Sequence, residues 1–171
     1  LHVLPGCIDT QVHFREPGLE HKEDLASGTE GAVLGGIAAV FEMPNTTPAT
    51  LTRGDLADKL RRARGRARTD HAVYVGAAAE NVDELGALER EPGCAGVKVF
   101  MGSSTGTLLV PDDATLERVL RAGRRRVAVH AEDEARLNER RHIAESGGGA
   151  FLHPVWRDEE TALGATRRLL L

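Results

Sequence analysis

The sequence predicts an α/β protein built as part of a TIM-type (β/α)8 barrel, with about five βα units present. Three observations lead there. Short apolar runs alternate with longer amphipathic segments, the pattern of parallel strands joined by crossover helices. Unusual polar residues gather at the ends of these runs, His13 with Arg15, then Asn45, Lys98 and His130, and barrel sites are built from strand carboxyl ends. The turn after the first run, Gln11-Val12-His13-Phe14-Arg15-Glu16-Pro17-Gly18, lacks the glycine-rich phosphate turn of a dinucleotide-binding sheet. Five strands cannot close a barrel and would leave unpaired edges, so the sequence reads as a fragment of one.

Strands are predicted over 3–13, 37–43, 71–77, 95–101 and 126–131, each a short apolar run bounded by polar or turn residues. Helices are predicted over 22–35, 54–67, 81–90, 113–123, 133–145 and 158–171. Asp55, Asp112 and Asp113 place acidic groups at helix starts, where they complement the helix dipole, and Asn81 suits an N-cap. Gly35-Gly36 and Gly123 mark helix ends, and Pro92-Gly93 and Gly147-Gly148-Gly149 mark loops. The chain opens on Leu1 inside a strand-like run. It closes on Leu169-Leu170-Leu171 without a stop signal, so continuation is expected in both directions.

With 171 residues, 41% hydrophobic and 28% charged, the chain is long enough for one domain with a real core. A net charge of -4 gives no overall pull toward nucleic acid or anionic membranes. The basic run Lys59-Leu60-Arg61-Arg62-Ala63-Arg64-Gly65-Arg66-Ala67-Arg68, like Arg124 to Arg126, reads as a solvated outer helix face, because no aromatics interleave it. Cys7 and Cys94 are small core residues or loose thiols of a reducing compartment, not a disulfide framework. No spanning segment or signal-peptide pattern is present, so a cytoplasmic protein is expected.

In an extended strand, side chains at i, i+2 and i+4 share a face, so Gln11, His13 and Arg15 project together. An amide, an imidazole and a guanidinium in one row make a poor core but can hold a metal and an anionic substrate. A metal site would be better served by a second histidine than by Gln11. His13 alone reads as an ordinary satisfied histidine; His130, in Val127-Ala128-Val129-His130-Ala131-Glu132, supplies a second imidazole able to converge on the same Zn²⁺. Lys98, between Val97 and Val99, by itself favours a lysine that snorkels to water. Pointed into a barrel, it would be desolvated and reactive, and could take up carbon dioxide as an anionic carbamate ligand. Asn45 reads either as turn chemistry or as a hydrogen-bonding group for a polar substrate. Gly102-Ser103-Ser104-Thr105-Gly106-Thr107 lacks the ending of a P-loop and reads as a polar loop, while Trp156 and Arg157 read as packing and surface residues.

The run Pro5 to Gly18, then Glu23-Asp24 with Ser27-Gly28-Thr29, Met43-Pro44-Asn45-Thr46, Val97 to Gly106 and Val129-His130-Ala131-Glu132 together resemble the dihydroorotase family of the amidohydrolase superfamily. The resemblance covers essentially the whole chain, 1–171, as a partial amidohydrolase barrel domain. It implies a metal-dependent hydrolase of cyclic amides that interconverts N-carbamoyl-aspartate and dihydroorotate in pyrimidine synthesis. It also implies zinc, one or two ions, held by His13, His130 and a carboxylated Lys98, with Arg15 and Asn45 on the substrate carboxylate. Gln11 departs from the family, standing where the first histidine of a His-x-His pair is expected, and is at most a weak ligand. The catalytic aspartate, a general acid and base, is expected beyond Leu171, so no catalytic residue is assigned within the fragment and these residues alone are expected to be inactive. A homo-oligomer is expected when the protein is complete, with no nucleic-acid or membrane partner. Two alternatives remain open. One is a silent homologue serving as scaffold or regulatory partner of aspartate transcarbamoylase; the other is a hydrolase of another cyclic amide or ureide.

Overall fold

A computed structural model describes residues 2–103 and 108–170. Its five strands are β1 (Cys7–Val12), β2 (Ile37–Glu42), β3 (Asp70–Gly76), β4 (Cys94–Phe100) and β5 (Val127–His130). They form one sheet in the order β1-β2-β3-β4-β5, and every neighbouring pair is parallel. Consecutive order without reversal is barrel topology, since a doubly wound sheet reverses direction at its switch point.

Right-handed crossovers then put the connecting helices on a single face. They are α1 (Leu25–Leu34), α2 (Arg53–Ala63), α3 (Leu85–Leu88), α4 (Asp113–Ala122), α5 (Glu134–Glu139), α6 (Arg141–Glu145), α7 (His153–Trp156) and α8 (Glu159–Leu169). Alternation along the strands fixes that face. Val73 and Val75 of β3 and Val97 and Val99 of β4 pack with Leu56 of α2, Leu85 and Leu88 of α3, Leu116 and Val119 of α4, and Ala165 of α8. Phe14, Leu25, Val40 and Ala63 form a second cluster under α1 and α2. The opposite face holds Met43, Tyr74 and Ala95 with Phe41, Ala72 and Ala128. The Arg126 guanidinium lies over the Phe41 ring, 5.4 Å from its centroid, and donates to the Ala95 carbonyl at 3.1 Å. The result is a curled half-barrel with helices outside and a concave inner face.

Every predicted strand is present, the first beginning at Cys7 rather than at residue 3. The helix predicted over 81–90 is instead a 3-10 turn, Val82–Glu84, running into the short α3. Asn81 does not cap it. Its carboxamide accepts from the Ala78 amide and donates to the Leu51 and Gly76 carbonyls, tying the β3 loop to the start of α2. The helix predicted over 133–145 breaks at Arg140 into α5 and α6, and a further 3-10 turn, Gly149–Leu152, leads into α7 with a proline in its first turn. Asp24, Thr52, Asp112, Asp133 and Asp158 each cap a helix through a side-chain oxygen, and Thr52 with Asp55 makes a full capping box. Both cysteines are free, Cys7 exposed and Cys94 buried. Among the described residues no helix is long and apolar enough to cross a membrane.

Candidate active site

The predicted site residues fall at the carboxyl ends of four strands. His13 follows β1 and alternates with Val12 and Phe14, which belong to the helix-side cluster, so its imidazole faces the inner side. Lys98 alternates with the helix-facing Val97 and Val99, and His130 with Val129 and Ala131. Register places Lys98 opposite Ala128 and Phe100 opposite His130 on adjacent strands, so Lys98 and His130 are diagonal neighbours on the inner face. Asn45 lies just past β2 and is buried.

His13 hydrogen-bonds Asn45, and its pKa is held below the usual histidine value by burial first and by the nearby Arg15 second, with Lys98 and Lys59 adding to the effect. A neutral imidazole is the form that ligates metals. Lys98 is 2% exposed, with Nζ 4.9 Å from the Phe100 ring centroid. Burial alone lowers its pKa, and among the described residues no carboxylate pairs with it. The snorkelling reading of this lysine is therefore wrong: its amine is desolvated on the concave face.

His130 is held differently. Its Nε2 lies 2.6 Å from Glu132 Oε2, and its ring sits against Phe100 with centroids 5.9 Å apart. Glu132 in turn pairs with Arg157, whose second nitrogen donates to the Ser103 carbonyl at 2.7 Å. Ser103 is tied at its amide and hydroxyl to Glu134, at 2.6 and 2.7 Å. Arg157 thus is not a surface residue but joins the loop after β4 to the loop after β5. Ser104, Thr105, Gly106 and Thr107 of the predicted polar loop lie outside the described residues.

Arg15 stands apart in its backbone, with φ 67, a left-handed conformation that non-glycine residues rarely adopt. Its loop is fixed from several sides. Glu16 is buried and takes Arg66 on both oxygens, at 2.6 and 3.1 Å, and the Leu25 amide at 3.1 Å. The Thr47 amide donates to the Pro17 carbonyl at 3.0 Å, and Met43 donates to the Val12 carbonyl at 2.9 Å, so the loops carrying Arg15 and Asn45 are bonded together. Gly18, at φ +88, lets them touch; a Cβ there would come within 2.6 Å of Thr47 Cβ.

Two residues that sequence reasoning assigned no role lie beneath these loops. Lys59 is 1% exposed and donates to the Met43 carbonyl at 2.8 Å, with Glu42 Oε1 at 3.6 Å. Glu42 Oε2 accepts the Phe14 amide at 3.0 Å. The basic run is therefore only partly a solvated face: Lys59 is core, Arg66 serves Glu16, and Arg61, Arg64 and Arg68 are exposed.

Two imidazoles and one desolvated amine share a face, and among the described residues no three His, Cys, Asp or Glu side chains gather to hold a metal. The donor set fits a cation on one condition, that Lys98 becomes an anionic oxygen donor, because structural and catalytic zinc sites use at least about three protein ligands. Gln11 is exposed, and its backbone N–H donates to Asp9 Oδ1 at 2.9 Å.

Comparison with known proteins supplies the family. The model of the dihydroorotase-like family matches residues 2–105. The chain belongs to the dihydroorotase-like family. A dihydroorotase of Halobacterium salinarum is 35% identical over 168 residues, 97% of this chain and 39% of the relative. An allantoinase of Deinococcus radiodurans is 36% identical over 180 residues, covering 100% of this chain and 40% of the relative. Among solved structures, L-hydantoinase (dihydropyrimidinase) from Arthrobacter aurescens superposes with a TM-score of 0.86 at 26% identity, over 97% of this chain and 38% of that one. The dihydroorotase-like chain thus spans about two-fifths of the length of these relatives, which are all cyclic amide hydrolases by name.

Proposed function

We propose that the whole protein is a metal-dependent dihydroorotase that interconverts N-carbamoyl-aspartate and dihydroorotate. The observation that carries this reading is the placing of Arg15 beside the His13–Asn45 pair, at the strand ends of a face that also holds the desolvated Lys98. A planar guanidinium offers two parallel donors to a carboxylate, and the Asn45 amide adds a neutral contact. Together they orient the ring so that its amide carbonyl faces His13, Lys98 and His130. Those three residues would hold the metal, zinc on this reading, with Lys98 carboxylated and Gln11 at most a weak fourth donor. When bound, such an ion supplies Lewis acidity at the amide carbonyl. The protein's own part is to keep His13 neutral through burial and its cationic neighbours, to hold His130 through Glu132, and to fix the substrate carboxylate.

Gln11 supports a second reading, a silent homologue acting as partner of aspartate transcarbamoylase, because its neutral amide is a poor substitute for an imidazole. The likeness to an allantoinase and a hydantoinase supports a third, a hydrolase of another cyclic amide. One experiment separates them: metal content and dihydroorotate turnover of the whole protein, native and Gln11→His. Metal with turnover in the native form supports the first reading. No metal and no turnover in either form favours the silent partner, and metal with turnover of hydantoin or allantoin alone favours the third.

A further inference from the structure

Burying an ion pair is expensive, and an apolar pair of similar volume is commonly as stable or more so. Glu42 and Lys59 are nonetheless both almost fully buried, between β2 and α2. Their setting explains what an apolar pair could not do. The Glu42 carboxylate accepts the amide of Phe14, the residue between His13 and Arg15. The Lys59 ammonium donates to the carbonyl of Met43, two residues before Asn45. We propose that the Glu42–Lys59 pair is a positioning device that holds the β1 and β2 loops by their backbones, and so sets His13, Arg15 and Asn45 relative to one another.

Three further observations fit. Backbone hydrogen bonds from Met43 to Val12 and from Thr47 to Pro17 join the two loops on either side of the site residues. The clamp meets the first loop at Phe14, between these two bonds in sequence, and the second at Met43, whose own amide makes the first of them. The pair also senses the site through space, since Arg15 is among the charges that favour the Glu42 carboxylate. Desolvation works against the charged pair, pushing Lys59 down to about 8 and Glu42 up, so the bonds to the loop backbones are part of what the charges gain in return.

The substrate side of this inference rests on the dihydroorotase reading, and the test keeps the two apart. The whole protein is compared as native, Glu42→Gln, and the double variant Glu42→Leu with Lys59→Met. Three quantities are read: urea stability, hydrogen exchange at the Phe14 amide and over 43–48, and KM and kcat for dihydroorotate. The double variant is expected to fold with a modest loss of stability, because the paired charges leave together but the Phe14 amide and the Met43 carbonyl lose their partners. Its Phe14 amide should exchange at least ten-fold faster relative to β3 amides, and KM should rise at least ten-fold with a smaller change in kcat. Native exchange and native KM in that variant would overturn the proposal and make the pair mere packing. Should the double variant fail to fold, the near-isosteric Glu42→Gln carries the comparison through Lys59, which loses its counter-charge while the carboxamide oxygen can still accept the Phe14 amide; exchange over 43–48 and KM should rise, and native values of both overturn the proposal as well. A native protein without dihydroorotate turnover would sink the functional reading and leave hydrogen exchange alone to judge the clamp.

Discussion

Two glycines of α1, three residues apart, make a controlled experiment on the ring that separates His13 from Arg15. Gly31 is exposed, and a Cβ built there meets nothing within 4 Å. Gly28 faces Phe14, and a Cβ there would come within 2.5 Å of the ring carbon Cε1 and nearer still to Cδ1. Replacing an exposed helix-interior glycine by alanine gains about 1 kcal/mol. Gly31→Ala should therefore raise stability by about that amount, or roughly 2–4 °C in Tm for a protein of this size. Gly28→Ala has the same helical gain but drives a methyl into a ring that should sit about 3.5–4.0 Å away. Overpacking of this kind costs about 1–3 kcal/mol. The variant should therefore be ~1–3 kcal/mol less stable than Gly31→Ala, and no better than native. Phe14 is 8% exposed and held at its amide by Glu42, so the displaced ring has little freedom to turn out of the way. The strain passes to its neighbours in sequence, and KM for a carboxylate-bearing substrate should rise in Gly28→Ala while Gly31→Ala leaves it unchanged. Thermal and urea melts of both variants, with kinetics, are the assay. Equal stabilisation by the two alanines would refute the argument that Phe14 is wedged against α1.

Arg15→Lys keeps the charge but loses the fork, and should reduce kcat/KM for dihydroorotate by roughly 10- to 100-fold, the worth of a charge-assisted bond. An equal loss on a cyclic amide without a carboxylate would contradict the assigned role. On the proposed reading, Arg157→Met removes the partner of Glu132 and should weaken metal affinity by about 10–100-fold through His130, measured by competition with a chelator. Unchanged affinity would show that His130 needs no such support. Asp158 is held well below its ordinary value of 3.8, first by its hydrogen bond from Arg136 and then by Thr161. A carboxylate depressed in the folded state stabilises it above the unfolded pKa, and that contribution is lost as pH falls below about 4. Asp158→Asn should therefore be less stable at neutral pH and show a shallower loss of stability between pH 4 and pH 2 in acid melts; an unchanged slope would refute the linkage.

The strands were legible because parallel strands buried against helices need unbroken apolar runs, and Ile37 to Phe41 or Val73 to Ala77 can be read as little else. The inner residues were legible for the opposite reason: Lys98 and His130 interrupt such runs at positions where alternation turns them away from the helices. Lys59 carried a signal that the surrounding arginines hid. It lies three residues after Leu56 and four before Ala63, on the stripe that α2 buries. Glu42, two residues after Val40, likewise falls on the helix-facing side of β2, and a carboxylate there calls for a cation. Arg157 carried no such signal. Its partners Glu132 and Ser103 lie 25 and 54 residues away, and only the folded chain brings them together. The break at Arg140 falls where the apolar stripe lapses, since Arg140 and Arg141 stand three and four residues after Leu137.

The left-handed backbone at Arg15 has a consequence for how this protein could change its substrate. Glycine and asparagine occupy such a conformation more easily than arginine does. The replacements the main chain would welcome are therefore those that erase the positive charge proposed to meet the substrate carboxylate. Selection for stability and selection for an acidic substrate pull in opposite directions at one residue. A single residue change there could redirect the site toward an uncharged ring while relieving the backbone, so preference for a carboxylate at this position has to be maintained by function against the local conformation.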